Sequence, residues 1–227
     1  MRSRLKWRVF LGAAIAVMLA ASTTVALAQG TTRSVRPHHV TKVRDLTLEI
    51  VGQVQNSAPG VSPATSIQYG YLSDLRGLPI FKAEPQNEST ALLTFYTDTT
   101  TRRVIDNGPI RVINREGTLT IYSDPAANGS FANPDSFRDG RPVLVARLRQ
   151  QVIVDTATGG FTAQNLNTII STRPFQGPSG RLQLGKAGDR FRTIIFGHLN
   201  APPGPPSAYI AGYTDSVSGP PKHADGN

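Results

Sequence analysis

From residue 46 onward, apolar and polar side chains alternate in short runs separated by glycine- and proline-bearing connections. In LTLEIVGQV (46–54), Leu46, Leu48, Ile50 and Val54 fall on one face, with Thr47, Glu49 and Gln53 opposite. That period of two is the signature of a half-buried strand. The same pattern predicts strands over 66–72, 91–99, 108–114, 117–124, 142–154, 161–172, 190–200 and 208–214. Asn107-Gly108, Asn128-Gly129, Asp139-Gly140 and Gly159-Gly160 supply turn signals. Arg115-Glu116-Gly117 reads as a further tight connection, with glycine closing the turn. No window after residue 28 sustains apolar positions at helical spacing over three turns, and Gly77 and Pro79 limit 73–80 to one turn at most. Eight or nine short strands predict an all-β domain: an antiparallel closed or nearly closed barrel of about eight strands, with a β-sandwich as the alternative.

The two ends break the pattern. Arg2, Arg4, Lys6 and Arg8 precede an uncharged apolar stretch from Val9 to Ala21, and Ala26-Leu27-Ala28 gives a small-x-small cleavage pattern. Residues 1–28 therefore read as a cleaved secretory signal, placing the protein outside the cytoplasm, secreted or periplasmic. An uncleaved anchor is the rival, weakened by Ser22, Thr23 and Thr24; no stable membrane span is expected after cleavage. Residues 29–40 read as a flexible arm, 41–215 as the single β domain, and 216–227 as a disordered tail. APPGPPSA (201–208) is a connector that cannot join a ladder internally.

Composition narrows the chemistry. There is no cysteine, so thiol nucleophiles, lipid attachment at a cleavage-site cysteine and disulfide staples are all excluded. Lys plus Arg number 24 against 15 Asp plus Glu, a net of +9, and loss of the four basic signal residues leaves +5. Along the chain the bases are scattered, with only Arg102-Arg103 and the Arg147/Arg149 pair approaching a cluster, so no nucleic-acid partner is expected. Many of the 21 Gly and 17 Pro sit at punctuation points between the predicted strands, as turns require.

Two stretches, GTLTIYSD (117–124) and GKAGDRFRTIIFGHL (185–199), resemble strands of dirigent and allene-oxide-cyclase-like proteins, calycin-type exported barrels, in the same order. The resemblance covers about a quarter of the mature chain. It implies eight strands around an apolar lumen, and an isomerase or cyclase acting on an apolar small molecule without a cofactor. The chain departs from the family in a long 125–142 insertion and a proline-rich extension after residue 200. It shows no counterpart of the family's acidic catalytic residues near the start of the barrel.

Candidate chemistry is sparse. His38 and His39 are adjacent and point apart in an extended segment, and His223 lies in the tail. His198 shares a strand face with Ile194 and Phe196 and reads as a hydrogen-bonded barrel-end residue, so neither a metal nor a cofactor is expected. No nucleophile elbow or phosphate loop is present. Asp74, Asp98 and Asp124 sit at or beyond predicted strand ends, where turn chemistry accounts for them. If the barrel is catalytic, Tyr69, Tyr96 and Asp98 are the first candidates, to position and protonate substrate. Asn87 and Asn128 begin glycosylation sequons in predicted loops.

The strand 142–154 sets an apolar face (Leu144, Leu148, Val152) against one carrying Arg147 and Arg149. An unpaired guanidinium costs several kcal/mol, roughly, to bury. Arg147 and Arg149 are therefore expected outward, and Leu144 and Leu148 inward with Leu48, Ile50, Leu93 and Phe95 as the lining of any ligand cavity. An anion-reading face is the alternative role for the arginines. The expected function is a non-enzymatic exported barrel that binds a small apolar molecule or serves as a surface or interaction protein. A lumen cyclase is the alternative.

Overall fold

The computed structural model describes residues 40–43, 46–177, 180–201 and 204–218. The proposed export signal, the arm with His38 and His39, and the end of the tail with His223 lie outside the described residues. Among the described residues no helix is long and apolar enough to cross a membrane.

Eight strands close into an antiparallel barrel, as the alternation predicts. They are β2 (Leu48–Asn56), β3 (Thr65–Leu75), β4 (Leu93–Asn107), β5 (Ile110–Ser123), β6 (Arg141–Asp155), β7 (Gly160–Thr172), β10 (Arg190–Leu199) and β11 (Ala208–Ser218). Neighbours run β10-β11-β2-β3-β4-β5-β6-β7, and β7 pairs back to β10 to complete the wall. Closure gives each barrel strand two neighbours and so removes the free edges of an open sheet along the wall, although β4 beyond Arg102 pairs only with β5. Bulges at Glu49/Ile50, Thr101/Arg103, Ile121/Tyr122, Val145/Ala146 and Phe191/Arg192 break the register and bend the strands around the axis.

β1 (Thr41–Val43), β8 (Phe175–Gly177) and β9 (Gly180–Leu184) form a second small sheet, with β1 parallel to β9. Periodicity does not reveal it, because three to five residues are too few to establish an alternation. Its buried Val43, Phe175, Leu182 and Leu184 join the barrel's apolar core.

The expected connection at 115–117 is corrected. β5 runs unbroken through Arg115, Glu116 and Gly117, and the hairpin turn falls at Gly108-Pro109, with Gly108 at φ +58°. Gly117 serves a different purpose, since a Cβ there would collide with the Asp98 carbonyl oxygen on β4. Its glycine permits a close backbone approach rather than a turn. β4 likewise continues to Asn107, so Asp98 lies within a strand and not at its end.

Candidate functional site

The six expected lining residues, Leu48, Ile50, Leu93, Phe95, Leu144 and Leu148, are all buried. Five of them, all but Leu148, share one apolar core with Val152. They leave a cavity of only about 20 Å³, bordered by Leu48, Ile50 and Phe95 on one side and Gln68, Thr97, Asn165 and Thr193 on the other. That is room for one water molecule, whereas small-molecule pockets are generally about 300–1,000 Å³.

The lumen is not apolar throughout, as the dirigent resemblance implies. Ser66, Gln68, Thr97, Thr99, Gln150, Asn165, Asn167 and Thr193 are all buried in it. Gln150 Nε2 donates to Asn165 Oδ1 at 2.9 Å, Asn167 Nδ2 to Thr193 Oγ1 at 3.1 Å, and Thr99 Oγ1 to the Ser66 carbonyl at 2.8 Å. Arg115 belongs to this belt. It pairs in register with Gln150, and its guanidinium donates to Asn56 Oδ1 at 3.2 Å and to Gln150 Oε1 at 3.5 Å. Desolvation lowers its pKa to about 10, so it remains a cation at neutral pH. The amide oxygens carry partial negative charge toward it in place of a carboxylate.

The catalytic candidates lie on the other side of the wall. Tyr69 and Tyr96 are cross-strand partners on β3 and β4, on the face opposite the lumen-facing Gln68, Thr97 and Phe95. They are buried because the 125–140 segment folds over them. Phe137, in a 3-10 turn (Pro134–Phe137), is fully buried with its ring 5.6 Å from Tyr69, and its carbonyl accepts from Thr94 Oγ1 at 2.9 Å. Tyr69 donates to Gln53 Oε1 at 3.2 Å, and the Arg138 guanidinium stacks 4.7 Å from the Tyr96 ring centroid. Desolvation raises both phenol pKa values, with the neighbouring phenols Tyr96 and Tyr209 adding to the rise at Tyr69. Asp98 is on the same outer face and exposed. Thus the structure brings the two tyrosines together, but beneath an aromatic lid rather than inside a lumen. Asp74 and Asp124 act as turn residues: Asp74 accepts from Gly77 N at 3.0 Å, and Asp124 from Ala126 N at 3.0 Å and Asn128 N at 3.2 Å. The exposed His198 hydrogen-bonds through Nδ1 to the Leu199 carbonyl. Among the described residues no three His, Asp or Glu side chains gather as metal ligands.

Arg147 and Arg149 point outward and are exposed, as expected. What the sequence does not show is their company. Arg147 stands opposite Thr168 on β7, and Thr168 stands opposite Arg190 on β10. Arg149, Leu166 and Arg192 form the next such row. Four exposed arginines therefore surround Leu166 and Thr168 at the corners of a patch. From strand and residue spacings its Cα corners are roughly 10 Å by 7 Å apart. Two acidic positions border it in register: Glu116 opposite Arg149, and Asp215 opposite Arg192. Glu116 is engaged elsewhere, by Arg102 at 3.2 Å.

The patch runs directly into a concavity of about 270 Å³ that shares Arg149 and Leu166 with it. Arg102, Asn114, Glu116, Gln151 and Gln164 line it too, and it reaches inward to Arg115 and Gln150 of the buried belt. Arg102 sits at the bulge in β4 between Thr101 and Arg103. The signal for Arg190 and Arg192 was visible as a second Arg-x-Arg in RFR (190–192). Its proximity to RLR (147–149) depends on β10 lying two strands from β6, which is a property of barrel closure alone. Comparison of the chain with family models, with curated proteins and with solved structures returns no match.

Proposed function

We propose that this protein is a non-enzymatic binding or interaction barrel whose working surface is the outer wall of β5, β6, β7 and β10. The observation that carries this reading is the contrast in open volume. The cavity among Leu48, Phe95 and Thr193 offers about 20 Å³, while the hollow that opens beside Arg149 and Leu166 and reaches in to Arg115 and Gln150 offers about 270 Å³. A lumen cyclase of the dirigent type needs space to fold its substrate and groups aimed at it, and Tyr69 and Tyr96 face away from that space. A filled interior leaves the outer face and loops for function. The signal-like residues 1–28 support placing that surface outside the cytoplasm.

The test is titration of the folded, monomeric protein with an environment-sensitive apolar dye. No saturable uptake into the lumen is expected. One-to-one uptake that Thr97→Leu abolishes, by filling the residual space beside Thr97, would overturn the reading in favour of a lumen ligand.

A further inference from the structure

We infer that the Arg147/Arg149/Arg190/Arg192 patch and its adjoining concavity bind an acidic polysaccharide. This rests on the outer wall being the working surface and names the ligand class for it. The first argument is charge. Four guanidiniums stand at the corners of one small patch, and among the described residues none of the four makes an ion pair. Like charges set this close repel one another, a cost that oxyanion partners remove. Arginine's planar fork of donors matches a carboxylate or sulfate bidentately, which a lysine's point charge does not.

The second argument is the chemistry of the hollow. Its amides Asn114, Gln151 and Gln164 each present a donor and an acceptor, and Arg102, Arg115 and Glu116 add charged groups of both signs. A purely ionic ligand has no use for so many neutral amides. Sugar hydroxyls, which both donate and accept, do. Leu166, 48 % exposed between Arg149 and Arg192, offers an apolar contact for the C–H face of a sugar ring. The third argument is what is missing from the patch. No aromatic side chain stands among the four arginines, on Thr168 and Leu166 of β7 or their partners on β6 and β10. Single-stranded nucleic acid is usually held on such rings by base stacking.

The experiment measures binding of the full-length protein to oligogalacturonate and to dextran sulfate. Neutral dextran, single-stranded DNA of matched charge and phosphatidylglycerol vesicles serve as comparison arms. Binding to at least one acidic polysaccharide is expected, weakening as salt rises because charged contacts are screened. The preferred probe identifies the oxyanion as carboxylate or sulfate. Arg147→Gln with Arg190→Gln is expected to lose about tenfold or more, the worth of one charge-assisted hydrogen bond. Arg76→Gln with Lys82→Gln removes the same charge from the β3–β4 connection and is expected to leave binding nearly unchanged. The inference is overturned by no binding to either acidic polysaccharide, by equal losses in the two variant pairs, or by tighter binding to DNA or to vesicles. A closed lumen with no polysaccharide binding would sink only this ligand class, whereas dye uptake by the lumen would sink the outer-wall reading beneath it.

Discussion

Strand β6 borders both the barrel interior and the arginine patch, and its two faces obey different physics. Inward, Ala146, Leu148, Gln150, Val152 and Val154 are buried and packed or hydrogen-bonded on every side. Outward, Arg147, Arg149, Gln151 and Ile153 meet solvent. Across the same ladder, Arg115 of β5 faces inward beside Gln150, so arginine occurs on both sides of this wall. The inner guanidinium is fixed by amides and lowered in pKa by burial, whereas the outer ones keep their full complement of donors for a partner. The comparison separates residues that hold the barrel from residues that serve it. A change inside should appear as lost stability, and a change outside as lost binding.

The largest break expected is on the inner face. Leu148→Ala should cost roughly 2–5 kcal/mol of unfolding free energy in a urea titration, because the fully buried site cannot collapse around the void. Leu166→Ala, a half-exposed leucine one strand away, should move the midpoint far less; equal losses would erase the distinction between the faces. Gly117→Ala should follow at roughly 1–3 kcal/mol, since β4 and β5 must part where the new methyl meets the Asp98 carbonyl. A neutral result by the same titration would mean the strands do not approach as closely as described.

Tyr69→Phe tests the aromatic lid. Losing the bond to Gln53 should cost about 0.5–1.5 kcal/mol at neutral pH. The pH dependence sharpens this. Burial raises the Tyr69 pKa in the folded state, so the folded protein keeps its phenol proton after the unfolded chain has lost it. That stabilisation is complete below the ordinary phenol value of about 10 and is lost as pH rises through the raised folded value. The stability difference between wild type and Tyr69→Phe should therefore shrink as pH rises from about 10 toward that raised value. Arg115 acts in the opposite sense, its burial costing stability below about 10 and less above it, but it is common to both proteins and cancels in the difference. A difference that stays constant through the alkaline range would mean the phenol is not desolvated.

The smallest effect is expected on the outer wall. Arg147→Gln with Arg149→Gln should leave stability within about 0.5 kcal/mol by chemical denaturation, as for exposed side chains without fixed partners. A loss of several kcal/mol would show that these arginines hold the barrel together rather than serve a ligand.

Much of the fold was legible because a period-two pattern tests itself over many residues. β6, at 15 residues, alternates so regularly that both its faces could be assigned. The six lining residues were legible for the same reason. The small sheet was not, since its strands are too short for any period, and β5 was read as two strands because Gly117 resembles a turn residue. Its actual constraint is a backbone 18 or 19 positions away, at Asp98 and Thr99. The candidate site was half legible: the outward arginines of β6 could be placed, but not their partners on β10.

By itself the sequence determined an all-β, cysteine-free chain whose strands each have an inner and an outer face, because alternation acts over neighbouring residues. Only the tertiary structure decided that the lumen is filled and partly polar, since filling depends on how eight strands' side chains meet across an axis. Only it placed Arg115 inside, because that required β5 to continue where local chemistry suggests a turn. And only closure of the barrel set RLR (147–149) and RFR (190–192) two strands apart, turning scattered charge into one basic patch. Charge clustering is a matter of distance in space, and β-sheet pairing sets that distance independently of separation along the chain.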